Sequence, residues 1–187
     1  AGADAAGTAT INLSPPSRTV TAGQTFTVTV GVTPSGGSVT TVKTKLTFSP
    51  AILQVTGFTF AANWLPLTQA GYDITDNAGG SLTKTAGFPG GVSTTKTFGT
   101  VTFRAKVAGT ATVKVDATSM ALDSVNNNIF AGPGGQTAVT VRAPAAASTP
   151  AAVVVGGSPT PSPAVSGVPA GTPGVSVTPS VSPEAQA

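Results

Sequence analysis

The side chains able to do chemistry in this sequence are few, and their types exclude most of catalysis at once. The 187 residues contain no His and no Cys, and the one Glu stands at position 184. Ser–His and Cys–His nucleophiles, imidazole acid–base relays and thiolate metal centres are therefore out of reach, which leaves carboxylate chemistry. Asp73 with Asp76, or Asp116 with Asp123, are the pairings in which one carboxyl would act as acid and its neighbour as base or nucleophile, as in glycoside hydrolysis. Asp is also a residue of turns, where its side chain accepts from nearby backbone N–H groups. On that reading the chain is not an enzyme.

Hard cations take carboxylate and amide oxygens, so Asp73, Asp76 and Asn77, and separately Asp123, Asn126, Asn127 and Asn128, are candidate calcium ligands. Neither group has the spacing of a calcium loop, and Asn-rich turn chemistry is the reading preferred for both. Trp64 and Tyr72 are the large amphipathic aromatics, and exposed together they would form a platform for a sugar or another protein; a core Trp with its N–H satisfied is the other reading. No other cofactor is implied.

The net charge is +3, yet the nine basic residues form no run and have no interleaved aromatics, which speaks against nucleic acid as a partner. By parity Lys43, Lys45, Arg104, Lys106 and Lys114 project to solvent, giving either a weakly basic sheet face or charges that keep sheet edges from pairing. Asn12-Leu13-Ser14 fits the N-glycosylation pattern, with Pro15 directly after it.

The elements that position these residues read as strands. In Phe26-Thr27-Val28-Thr29-Val30-Gly31-Val32, apolar and polar side chains alternate with period two, so one face is buried. The same alternation runs through Val42 to Phe48, Val101 to Val107 and Ala111 to Asp116, the last two separated by a short turn at Ala108-Gly109 that predicts a hairpin. Further strands are expected at Thr8 to Leu13, Leu53 to Phe60, Tyr72 to Thr75, Ser81 to Thr85 and Thr137 to Arg142. Abundant Val and Thr favour a pleated surface over a helix, so helix should be nearly absent. The inward set is expected to be Phe26, Val28, Val30, Leu46, Phe48, Leu53, Val55, Val101, Phe103, Val113 and Val115.

Composition changes at Ala143. From there to Ala187 there is no Lys, Arg, aromatic residue or Met, and prolines recur between Ser, Thr, Val, Ala and Gly. Such a segment cannot bury a core of its own and favours extended conformations. Its strand-like pieces, Val153, Val154 and Val155 and then Val175 and Val177, are candidates for strand addition to a neighbour, and Ser158, Thr160 and Ser162 are candidates for O-glycosylation. The longest apolar runs, such as Ala151 to Val155, fall far short of the ~20 residues that span a bilayer. The opening small-residue stretch, Ala1 to Gly7, resembles what is left after a signal peptide is removed, so a secreted or cell-surface protein is expected.

Several of these stretches resemble one family. Val20-Thr21-Ala22-Gly23-Gln24 leading into a Phe/Val strand, then Val42 to Phe48, then Ser49-Pro50-Ala51-Ile52-Leu53-Gln54-Val55, is similar to the opening half of a cohesin domain. Phe98-Gly99-Thr100-Val101-Thr102-Phe103-Arg104-Ala105-Lys106-Val107-Ala108-Gly109-Thr110-Ala111 resembles that family's closing hairpin. The resemblance covers residues 8 to 142 and implies a jelly-roll sandwich of about nine strands with a protein-binding role. Cohesins bind dockerin modules on one sheet face, and cohesin-like domains also occur in surface and appendage proteins.

The sequence thus predicts an all-β antiparallel jelly-roll sandwich over residues 8–142, preceded by an extension at 1–7 and followed by a Pro/Ser/Thr/Val-rich tail at 143–187. Its expected work is structural: a subunit of an extracellular filament, sheath or layer that self-associates by strand addition of its tail. A dockerin receptor and a glycan-binding module are the alternatives.

Overall fold

The computed structural model describes residues 7–147. Twelve strands run through them: β1 (Thr8–Ser14), β2 (Ser17–Thr21), β3 (Thr25–Ser35), β4 (Val39–Thr47), β5 (Leu53–Phe60), β6 (Leu65–Pro66), β7 (Asp73–Asp76), β8 (Ser81–Val92), β9 (Lys96–Ala105), β10 (Gly109–Val115), β11 (Met120–Leu122) and β12 (Gln136–Arg142). No helix occurs among the described residues. A four-stranded sheet has the order β1-β3-β9-β5, and an eight-stranded sheet the order β2-β12-β10-β4-β8-β6, with β11 also pairing β4 and β7 also pairing β8. The pairings are antiparallel except β2 with β12, which run parallel.

Period-two patterning places the core between the sheets. Every residue expected to point inward is buried. Phe103 of β9 stacks on Phe26 of β3 at 5.5 Å and meets Phe48 edge-on at 5.5 Å, tying one sheet to the other. A second aromatic group gathers at Phe98, which meets Trp64 at 4.9 Å and Phe60 at 5.4 Å. Its packing depends on Gly99: a Cβ there would lie 2.4 Å from Cζ of Phe58, so any side chain would displace that ring. At the β7–β8 turn, Gly80 has φ +71° and its carbonyl accepts from the Phe48 N–H at 2.9 Å, a backbone conformation that glycine adopts without steric penalty.

One expectation fails. The strands on either side of Ala108-Gly109 do not form a hairpin: β9 pairs β3 and β5, whereas β10 pairs β12 and β4 in the other sheet. Both edges of β9 are already taken, so residues 106–108 carry the chain across the sandwich, anchored where the Lys106 N–H donates to the Ile52 carbonyl at 2.7 Å. The element that resembled a closing hairpin is therefore an inter-sheet crossing. The strands β2, β6 and β11 exceed what the sequence indicated; β6 and β11 are too short for periodicity to register, and β2 follows the Pro15-Pro16 break.

Candidate functional site

Among the described residues the carboxylates are occupied in turns and in one ion pair. Asp76 Oδ1 accepts from the N–H groups of Ala78 at 3.1 Å and Gly79 at 2.8 Å. Asp116 Oδ1 accepts from the N–H of Thr118 at 2.9 Å and from its hydroxyl at 2.5 Å. Asp123 takes the N–H groups of Val125 at 2.9 Å and Asn127 at 2.8 Å on one oxygen and Asn127 Nδ2 at 3.1 Å on the other. These donors stabilise the ionised form and hold both Asp116 and Asp123 below the ordinary aspartate value. Asp73 lies on β7 and pairs with Lys84 of β8. The two pairings that would suit glycoside hydrolysis are not built: Asp73 turns to Lys84 while Asp76 closes a turn, and Asp116 and Asp123 each close a separate turn of their own.

Three of the four amides named beside them, Asn77, Asn127 and Asn128, are likewise engaged. Asn77 bonds the backbone of Val55 on the other sheet, Asn128 Oδ1 accepts from the N–H groups of Ala121 and Phe130, and Asn126 sits in the Asp123 turn at φ 65°.

Trp64 and Tyr72 are not brought together. Trp64 is 4% exposed, its Nε1 donates to the Thr97 carbonyl at 2.8 Å, and its ring packs against Phe98 and Phe88. It belongs to the core and offers no face to a sugar, which corrects the expected platform. Tyr72 is 41% exposed, with Lys43 Nζ 5.3 Å from its ring centroid. The basic residues also divide: Lys43, Lys45 and Lys114 stand on the eight-stranded sheet, Arg104 on the four-stranded one, and Lys106 on the crossing with its Nζ donating to the Pro50 carbonyl. No single basic face collects all five. Asn12 is exposed, with its Nδ2 on the hydroxyls of Thr10 and Thr33. The tail candidates Val153, Val154, Val155, Ser158, Thr160, Ser162, Val175 and Val177 lie outside the described residues.

Cross-strand register does assemble a surface that the sequence alone did not reveal, on the outer side of the eight-stranded sheet. Met120 of β11 stands opposite Lys43 of β4, which stands opposite Thr85 of β8. One step along, Leu122 faces Thr41; one step the other way, Lys45 faces Thr83, which faces Ile74 of β7. Leu67 and Tyr72 close over this region to form a hollow of about 300 Å³ lined also by Met120, Leu122 and Thr85. Thr85 is buried there and its hydroxyl has no hydrogen-bond partner. A second hollow of about 420 Å³ shares Lys43 and is lined by Lys45, Ile74 and Asp76. Ile74 is 44% exposed, well above the norm for such a side chain. An apolar centre with an aromatic ring is flanked there by two lysines and an unpaired hydroxyl.

The two packed sheets, antiparallel except for β2 with β12, make this a sandwich of jelly-roll type. The cohesin domain model matches residues 11–141, and the chain belongs to the cohesin family, whose domains are non-catalytic binding modules. No curated protein gives a significant match. Among solved structures, the fold is similar to a non-cellulosomal cohesin from the hyperthermophilic archaeon Archaeoglobus fulgidus: 15% identity, TM-score 0.56, covering 72% of this chain and 91% of that one. It is also similar to the cohesin module of a Clostridium perfringens family 33 glycoside hydrolase, at 12% identity and TM-score 0.56 over 74% and 98% of the two chains. A third is the sixth cohesin of Acetivibrio cellulolyticus scaffoldin B, solved in complex with a dockerin, at 18% identity and TM-score 0.55 over 72% and 99%.

Proposed function

We propose that this chain is a docking module of an extracellular protein assembly and that its partner seats on the outer face of β11, β4, β8 and β7. The observation that carries this is the hollow between Met120, Leu122, Leu67 and Tyr72, with the unpaired Thr85 hydroxyl buried in its wall and Lys43 at its rim. The lysines favour a partner whose contact surface is acidic around an apolar centre. A dockerin, the partner of the Acetivibrio cellulolyticus cohesin above, is the first class to try. Calorimetric titration with a panel of purified dockerins, using Met120→Asp to spoil the face, tests it. Binding that survives this substitution, or no binding across the panel, counts against the reading.

A second reading has its own support: self-association into a surface filament, sheath or layer by strand addition of the tail. Favouring it is a pair of strand edges, at β2 and the start of β3, that no other strand covers among the described residues and that line about 870 Å³ of space. Deleting residues 143–187 would then leave the sandwich folded and abolish polymers seen by electron microscopy. Polymers that form without the tail leave only a spacer or glycan-carrying role for it.

A further inference from the structure

We infer that the acceptor for an added strand is the notch between β2 and β3, and that its occupant is the segment Ala151 to Val155 of a second copy of this chain; this rests on the self-association reading. β1 pairs β3 from Thr8 opposite Ser35 to Ser14 opposite Thr29, and there the chain leaves for the other sheet. β3 itself begins at Thr25, so its first residues have β9 on one side and no strand on the other among the described residues.

The ladder phase says which backbone groups are left. The Ala105 N–H donates to the Gln24 carbonyl at 2.9 Å. In an antiparallel pair alternate residues exchange both bonds, so Phe26 and Val28 turn to β9 while Thr25 and Thr27 aim their N–H and C=O outward. Across the notch, β2 is the last strand of the eight-stranded sheet. Ala138 N–H to the Pro16 carbonyl at 2.9 Å and Ala22 N–H to the Arg142 carbonyl at 2.8 Å set its phase. Arg18 and Val20 therefore face β12, and Ser17 and Thr19 point away from it. Thr21 is already closed by Gln24, through its side chain at 3.2 Å and its N–H at 3.1 Å. The notch is a line of strand-edge donors and acceptors from both sheets, walled by Val20, Gln24 and Phe26.

The occupant follows from length and chemistry. Ala151-Ala152-Val153-Val154-Val155 has five residues, as β2 does; it lies between Pro150 and Gly156-Gly157, is free of charge and ends in three β-branched residues. At about 3.3 Å per residue, both span roughly 17 Å. Eight residues, 143–150, separate the end of β12 from this segment, which at ~3.1 Å each lets it reach about 25 Å beyond its own sandwich.

The absence of cysteine makes a direct test possible. A Thr27→Cys chain, isotopically labelled, is mixed with a full-length Val153→Cys or Val154→Cys chain, and heterodimers are counted by mass after mild oxidation. An added strand alternates its faces, so one of the two tail variants should crosslink at least tenfold more than the other, and tenfold more than it does to a Thr59→Cys chain on the far edge at β5. Equal yields from both tail variants, or preference for Thr59→Cys, overturn the acceptor while leaving self-association intact. A wild-type chain that stays monomeric by sedimentation overturns both.

Discussion

Asn77 pairs its side-chain amide with both backbone groups of Val55: Oδ1 accepts from the N–H at 2.8 Å and Nδ2 donates to the carbonyl at 2.9 Å. A carboxamide carries the same donor and acceptor as a peptide group, so Asn77, from the β7–β8 turn of one sheet, serves as a one-residue strand on the free edge of β5 in the other. That edge is closed at this point against strand addition, in contrast to the open edge at β2 and β3. Asn77→Ala should cost about 2–3 kcal/mol, because Val55 is buried and two of its polar groups lose their partner. Asn77→Asp should fall near the Ala variant, since its second oxygen would face a carbonyl. Urea titration of the three proteins decides it; a loss under about 0.5 kcal/mol would show that water replaces the amide freely.

Acid should loosen two turns. Asp116 is held below its ordinary value of 3.8 foremost by the Thr118 hydroxyl, then by the Thr118 N–H, with Lys45 and Lys114 adding to this. Asp123 is held down mainly by the Asn127 N–H. A folded-state pKa below the unfolded one contributes stability that is complete above the unfolded value and is lost as pH falls through the folded one. With no His in the chain, the urea midpoint should stay flat from pH 8 to 5 and drop below about pH 4. Asp116→Asn should flatten part of that drop. A midpoint that slides between pH 7 and 5 contradicts this account.

The fold was legible wherever one strand face is buried. Phe26, Val28 and Val30 alternate with threonines because the intervening residues face water, and the inward set follows by parity alone. Which strands pair was not legible: β9 and β10 look like a hairpin locally, and only the prior claim of β3 and β5 on β9 sends β10 to the other sheet. The candidate face is a product of register, since Met120, Lys43 and Thr85 are far apart in sequence and adjacent only once β11, β4 and β8 are aligned. A faint signal existed in Met120-Ala121-Leu122, where the small residue points inward and the large ones outward.

Trp64 and Tyr72 should separate stability from binding. Trp64→Ala empties a site packed by Phe88 and Phe98 and strands the Thr97 carbonyl, at a cost of about 3–5 kcal/mol. Tyr72→Ala removes an exposed ring whose visible polar neighbour is Lys43, and should change stability by under about 1 kcal/mol while weakening partner binding. Melting curves and titrations on the two variants check both halves. Should Tyr72→Ala bind normally, the partner does not use the hollow.

The Asp73–Lys84 pair should prove asymmetric. Lys84 stands opposite Thr44 on the inner side of β8, 13% exposed, with its Nζ 5.8 Å from the centroid of Phe58 in the facing sheet, whereas the Asp73 side chain is 27% exposed. Removing Asp73 leaves a largely buried ammonium without that anion, and the Phe58 face offsets only a fraction of the loss. Removing the lysine in favour of methionine keeps the volume against Phe58 and leaves a carboxylate that water can reach. Asp73→Ala should therefore cost about 2–4 kcal/mol, somewhat below the figure for fully buried pairs, and Lys84→Met under about 1 kcal/mol. In Lys84→Met the further change Asp73→Ala should cost little, because the charge that needed Asp73 is gone. A double-mutant cycle by urea denaturation reads the difference directly. If Asp73→Ala proves as mild as Lys84→Met, the lysine reaches solvent in the folded state and the pair contributes no more than a surface contact.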